Sequence, residues 1–278
     1  MTDSQPARRR RTIRIAAQID QQHADYDTLR EAALRAEDAG VDIVFNLDHF
    51  FPYAGDPGGK HFEALTMLAS LAEVTQRVEL GSLVTGIGYR NPNLLADMAR
   101  TIDHISGGRF ILGLGAGWYE RDYVEYGYEF PPTPERLRIL RSDVPVIRAR
   151  LDQLSPPPLR RMPILIGGEG ERVTLRIVAE HADIWHSYAS AGALRRKTKI
   201  LARWCTDVHR DPAEIEIATA VSARFDARLA DDLVDLGVTL FVIEYAAPPF
   251  ELGNLAPWLR WRDERNGSQS QSRGMVDE

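Results

Sequence analysis

Eight times along the chain a short apolar run gives way to a stretch with helical spacing, and this alternation constrains the fold more than any other feature. TIRIAAQI (12–19) reads as a buried strand. Leu29, Ala32, Ala33 and Ala36 then recur at i, i+3, i+4 and i+7, before Gly40 supplies a stop signal. VDIVFNL (41–47) precedes a helical FEALTMLASLAEVT (62–75). VELGSLV (78–84) precedes a helix that opens at Pro92, a good first-turn residue, and runs through LLADMARTIDHI. RFILGLG (109–115) leads through an irregular stretch to a helix within 133–152. PILIG (163–167), DIWHS (183–187), EIEIATAVS (214–222) and VTLFVIEY (238–245) precede helical segments at 171–182, 191–209, 226–236 and 249–265.

Strands as apolar as FILGLG suit a parallel sheet covered on both faces. The 278 residues are close to the ~250 of a closed α/β barrel. The expectation is therefore an α/β chain with one (β/α)8 TIM barrel over residues 12–265. A disordered basic arm at 1–11 would precede it, and a disordered polar tail at 266–278 would follow. A net charge of −6 argues against a nucleic-acid surface. No run approaches the ~18 apolar residues of a membrane helix, and the stretch Ile13–Ile19 is too short for a signal peptide. Cys205 stands alone, so no intrachain disulfide can form. These features predict a cytoplasmic protein with no nucleic-acid or membrane partner.

In such a barrel the reacting groups come from the C-terminal ends of the strands. The fourth strand runs into FILGLGAGWYE, whose glycines at 113, 115 and 117 invite comparison with a dinucleotide fingerprint. That fingerprint needs G-x-G-x-x-G, and Trp118 stands where its third glycine should be, so the comparison fails. Small residues meeting Trp118 suit a flat ring lying against backbone at Gly115–Trp118, or glycines forced by a tight loop. A better anion site follows the fifth strand. There Gly167, Gly168 and Gly170 precede a helix whose N–H groups and dipole favour a phosphate, with Arg172 adding charge. A ligand-free turn would look the same. Asp48-His49 at the end of strand two can hold a metal, exchange protons or line a pocket, and no ligand series at metal spacing supports the first. His49 is the candidate for proton exchange beside a reacting carbon, or else a hydrogen-bonded structural histidine. Gly86 and Gly88 suggest a bulge in strand three.

NLDHFFPY (46–53), the block from VELGSLV through WYERDYVEYG (78–127), and PILIGGEGERVTLRIVAEHADIWH (163–186) together resemble the luciferase-like monooxygenase superfamily, in its branch using the deazaflavin coenzyme F420. The resemblance covers about residues 12–187, and more loosely extends to about 260. It implies a luciferase-like (β/α)8 barrel holding a flavin or deazaflavin at its C-terminal mouth. The ring would lie over a strand-three bulge, often with a non-proline cis peptide, at positions matching Leu83–Val84. The phosphate arm would follow Gly167–Gly170, and a histidine matching His49 would sit at the reactive face. Asn46, Thr85 and His186, all at strand ends, complete the cofactor-binding candidates, with no metal expected. The family's sugar-phosphate dehydrogenases carry Trp where Tyr53 stands and a catalytic Glu where Trp118 stands, which disfavours that substrate here. Relatives also carry a longer segment before strand five than the RLDQLSPPPLRRM of this chain. The pocket would then be open, completed by a partner subunit such as a homodimer mate, or lost.

Three functions follow from the resemblance. The first is hydride transfer between coenzyme F420 and a small organic substrate. The second is an FMN-dependent monooxygenase on the same barrel, and the third a flavin or deazaflavin binder without turnover. A metal-dependent barrel hydrolase is disfavoured by the missing ligand pattern.

Overall fold

The structure, a computed structural model, describes residues 11–274. Nine strands run in chain order: β1 (Arg14–Ile19), β2 (Ile43–Asn46), β3 (Glu79–Ser82), β4 (Thr85–Gly86), β5 (Phe110–Gly115), β6 (Ile164–Gly167), β7 (Ile184–Ser187), β8 (Glu216–Val221) and β9 (Val238–Tyr245). Every pairing among them is parallel, in the order β3-β2-β1-β9-β8-β7-β6-β5-β4, and β3 also pairs with β5. That last pairing, Leu80 with Phe110 and Gly81 with Ile111, closes the sheet into a barrel. The eight-strand (β/α)8 barrel expected from the alternation is the observed fold, its third strand being broken into β3 and β4.

The helices are α1 (Tyr26–Ala39), α2 (Ala64–Val74), α3 (Pro92–Ile105), α4 (Glu120–Glu125), α5 (Thr133–Gln153), α6 (Thr174–His181), α7 (Ala191–Asp207), α8 (Ala227–Asp235) and α9 (Leu255–Gly274). Local signals set several of their ends. Gly40 closes α1 with φ +98°, a conformation that favours glycine. Asn91 caps α3 by accepting from the N–H groups of Asn93 and Leu94, with Pro92 in the first turn. Two layers of apolar packing result. Ile43, Phe45, Ile111, Leu165, Ile184, Leu240 and Val242 point into the barrel and fill it, while a larger cluster joins the outer strand faces to the helices.

Two boundaries differ from the sequence reading. The run 78–84 is not one strand, because Leu83 and Val84 leave the ladder between β3 and β4 and are joined by a cis peptide. The tail expected from residue 266 is helical as far as Gly274. Asn266 is the physical reason at its start: its side chain accepts from the N–H of Ile13 at 2.9 Å and donates to the Ile13 carbonyl at 3.0 Å, tying α9 to the entry of β1. The arm proposed for residues 1–11 falls outside the described residues except for Arg11, which donates to the carbonyls of Ala213 and Glu214. Residues 275–278 also lie outside them.

At the N-terminal end of the barrel, Arg14 on β1 bridges Glu79 on β3 and Glu216 on β8. Ion pairing with the two carboxylates raises its pKa against the opposing cost of burial. At the other end the barrel opens into a cavity.

Candidate functional site

A cavity of about 540 Å³ sits at the C-terminal ends of the strands, within the range of small-ligand sites. Its floor is the strand-three break, where Leu83 and Val84 face it. The break is interlocked with β5 and β6 through glycines. A Cβ on Gly113 would lie 1.9 Å from the Ser82 carbonyl oxygen, and one on Gly115 would lie 2.5 Å from a Val84 methyl. A Cβ on Gly167 would also press on Val84, at 3.0 Å. The glycines of FILGLG and PILIG therefore first make room for the broken strand. Gly115, Gly167 and Gly168 then expose backbone to the cavity between them.

His49 lines the cavity just beyond β2. Its Nδ1 lies 2.6 Å from Oδ2 of Asp122, a carboxylate on α4 that is 0% exposed. The same Oδ2 accepts the Tyr89 hydroxyl at 2.8 Å, and Oδ1 accepts the Phe50 N–H at 3.0 Å. A histidine tied through Nδ1 to a carboxylate has a fixed ring orientation, and Nε2 is left as its working nitrogen. Burial and the Asp122 charge push the Tyr89 phenol well above its usual range, so it serves Asp122 as a donor. Tyr53, Trp118 and Tyr119 surround the imidazole, with ring centroids 5.4–5.7 Å away.

Asp48, beside His49 in sequence, does different work. It accepts from both terminal nitrogens of Arg90, at 2.7 and 2.9 Å, and from the Gly86 N–H at 3.1 Å. Arg90 also pairs with Glu63. Asp48 thus ties β4 to the end of β2, and although it also lines the cavity its recorded partners are Arg90 and Gly86 rather than His49. Among the described residues no group of three or more His, Cys, Asp or Glu converges as a metal site.

The other expected residues divide. Leu83, Val84, Gly115, Trp118, Gly167, Gly168 and His186 line the cavity together with His49. His186 is buried, and burial pulls its pKa down to about 3, so its ring is neutral and its Nε2 has no partner within the protein. Asn46 ends β2, where its amide donates to the Ala64 carbonyl at 3.0 Å and leaves Oδ1 without a partner. Thr85 on β4 is fully buried with Oγ1 also unpartnered. Neither lines the cavity.

The anion site at Gly167–Arg172 needs correction in its details. The Gly168 N–H is already spent on the His186 carbonyl at 3.1 Å, and Trp185 donates to the Gly168 carbonyl at 2.9 Å. Gly170 and Arg172 are exposed and stand outside the cavity lining, and α6 begins only at Thr174. Only Gly167 and Gly168 of that set reach the cavity.

Asp122 was not singled out by sequence reasoning. Its signal is the spacing Tyr119, Asp122, Tyr123, Tyr126 at i, i+3, i+4 and i+7, which puts one carboxylate on the aromatic face of a short helix. Tyr188 and Glu244 were also missed, Tyr53 entered only as the position where relatives carry Trp, and Asp20 carried no role. Asp20 accepts the Gln18 amide at 2.9 Å and the Tyr53 hydroxyl at 3.0 Å, and burial raises its pKa to about 7.

Comparison with known proteins agrees with this geometry. The family model described as luciferase-like monooxygenase matches residues 11–231. An F420-dependent glucose-6-phosphate dehydrogenase of Amycolatopsis mediterranei is 38% identical over 121 residues, covering 43% of this chain and 36% of that protein. The pyrimidine monooxygenase RutA of Allorhizobium ampelinum is 28% identical over 184 residues, covering 59% of this chain and 49% of that protein. The matches thus span about half or less of these curated relatives. The solved structure of an F420-dependent secondary alcohol dehydrogenase with an F420-acetone adduct superposes with a TM-score of 0.79. That match covers 88% of this chain and 96% of the other, and at 17% identity it speaks to the fold. The family match, running across residues 11–231, places this chain with its closed barrel in the luciferase-like monooxygenase family.

Proposed function

We propose that the protein is an oxidoreductase that moves a hydride between coenzyme F420 and a small organic molecule, with His49 handling the accompanying proton. The observation that carries this reading is the His49–Asp122 pair, set in a cavity whose floor is the break between β3 and β4. The residues present suit a polar heteroaromatic ring. Val84 and the backbone at Gly115 and Gly167 would give a ring a flat apolar seat, with the neutral imidazole of His186 in the same lining. When bound, the deazaflavin supplies the hydride chemistry. Leu83 and Val84 would support the ring, and the backbone at Gly167 and Gly168 would leave room for its phosphate arm. Asp122 holds the imidazole so that Nε2 faces the substrate and exchanges a proton there. Trp118 and Tyr53 form the rim beside His49.

F420 is preferred because a relative named for it is 38% identical over 121 residues, against 28% over 184 residues for one named pyrimidine monooxygenase. An FMN-dependent monooxygenase is the second reading, favoured by the similarity to proteins named pyrimidine monooxygenase. Fluorescence titration of the purified protein with F420 and with FMN tests both. Micromolar or tighter binding of F420 with substrate-dependent turnover is the expected result. Binding of FMN alone would replace the first reading by the second, and binding without any turnover would reduce the protein to a cofactor carrier.

A further inference from the structure

Strand order places β1 and β9 across the barrel from β5 and β6, so the cavity has two opposed walls. The β5–β6 wall is glycine backbone. The β1–β9 wall is built from Gln18 of β1 and Glu244 of β9, flanked by Tyr53 from the loop after β2 and Tyr188 from the loop after β7, and hydrogen-bond bookkeeping shows what it offers. Gln18 gives its amide nitrogen to Asp20, so its carbonyl Oε1 is left over, and that atom is buried without a partner. Tyr53 gives its proton to the other oxygen of Asp20, leaving lone pairs. The Glu244 carboxylate of β9, register partner of Gln18 on β1, is exposed beside Tyr188 and keeps acceptor capacity, although burial pushes its pKa up. The wall therefore presents the Gln18 carbonyl, the Tyr53 lone pairs and the Glu244 carboxylate as acceptors, with the Tyr53 proton already committed.

Cations elsewhere do not offset it. Among the described residues no lysine or arginine lines the cavity, and Arg90 is committed to Asp48 and Glu63. A carboxylate or phosphate at this wall would meet lone pairs and like charge with no counter-ion, which is costly in a partly desolvated site. A group with N–H donors and positive charge satisfies Gln18 and Glu244 together.

From this juxtaposition we infer that the β1–β9 wall seats a protonated amine of the substrate. The inference rests on the reading that this cavity is where the substrate reacts, and it deepens that reading by naming a substrate class. It also separates the chain from enzymes acting on sugar phosphates.

Three probes of one shape test it on the full chain: benzylamine, benzyl alcohol and benzoate, titrated by calorimetry. Benzylamine is expected to bind roughly fivefold or more tightly than benzoate, the scale of a partly exposed ion pair. Glu244→Gln should erase that preference and Glu244→Lys should reverse it, with circular dichroism showing both variants folded. Benzoate binding as well as benzylamine, no saturable benzylamine binding, or an unchanged preference in folded Glu244→Gln would each overturn the proposal. An F420 titration runs in parallel. Failure of F420 to bind while the amine preference persists would reject the cofactor reading and leave the amine seat standing.

Discussion

With Nδ1 committed to Asp122, the His49 ring has one nitrogen with which to act, so its two possible losses can be told apart. His49→Ala removes the proton carrier and should lower turnover by ~10²–10⁴-fold with a smaller effect on cofactor affinity. Asp122→Asn keeps the shape but cannot hold the same tautomer, so it should lower kcat while cofactor binding stays near wild type. Steady-state kinetics beside a cofactor titration checks both, and unchanged kcat in His49→Ala would make that residue structural. Asp20 supplies a pH signature. Its pKa is raised from 3.8 to about 7, so the native state holds its proton more firmly than the unfolded chain. Across that interval the group's contribution makes stability fall as pH rises. Asp20→Asn has no proton to lose, so the wild-type-minus-variant difference in stability should fall between pH 3.8 and about 7. Denaturant melts across that range measure it, and a flat difference would mean Asp20 titrates normally.

At the scale of elements, the site depends on how β5 and β6 accommodate the broken third strand. Gly113 and Gly115 both look intolerant of a side chain, but for different reasons. At Gly113 the obstacle is the Ser82 carbonyl, which is backbone, whereas at Gly115 it is a methyl of Val84. Gly115→Ala should cost about 1–3 kcal/mol through overpacking, and adding Val84→Ala should recover most of that loss. Gly113→Ala should cost at least as much and gain nothing from Val84→Ala. A double-mutant cycle by urea unfolding reads the coupling, which should be present for one pair and absent for the other. Equal behaviour of the two glycines would show that the break relaxes as a unit. The anion reading of PILIGGEGER was only partly legible for the same reason: periodicity shows that glycines precede a helix, but not that the Gly168 N–H would be taken by a neighbouring strand.

For the molecule as a whole, the two ends of the barrel should be separable. Arg14 joins three strands at the end away from the cavity. Arg14→Met leaves Glu79 and Glu216 partly uncompensated, although Arg160 still pairs with Glu79. A loss of about 2–4 kcal/mol is expected, below that for a fully buried pair because the arginine retains some solvent contact. Cofactor affinity at the opposite mouth should be unaffected at temperatures where the variant is folded. Thermal melts with and without F420 check both statements, and a large affinity change would couple the two ends.

The alternation of strand and helix periods was readable because parallel strands covered on both faces must be apolar and their crossovers must be amphipathic. From it came the eight units, their order and the parallel barrel. The mouth residues His49, Gly115, Trp118, Gly167, Gly168 and His186 were legible because this topology puts every strand end on one rim, and the family resemblance supplied Leu83–Val84. Tertiary structure alone decided the partners. Asp122 reaches His49 across 73 positions of sequence, Asp48 is spent on Arg90, and Asp20 turns Gln18 and Tyr53 into acceptors. It also carried α9 through Gly274, where Asn266 meets Ile13 from the far end of the chain. Periodicity reports which face of an element is buried. It carries no record of which distant polar group waits there, because that pairing exists only once the barrel has closed.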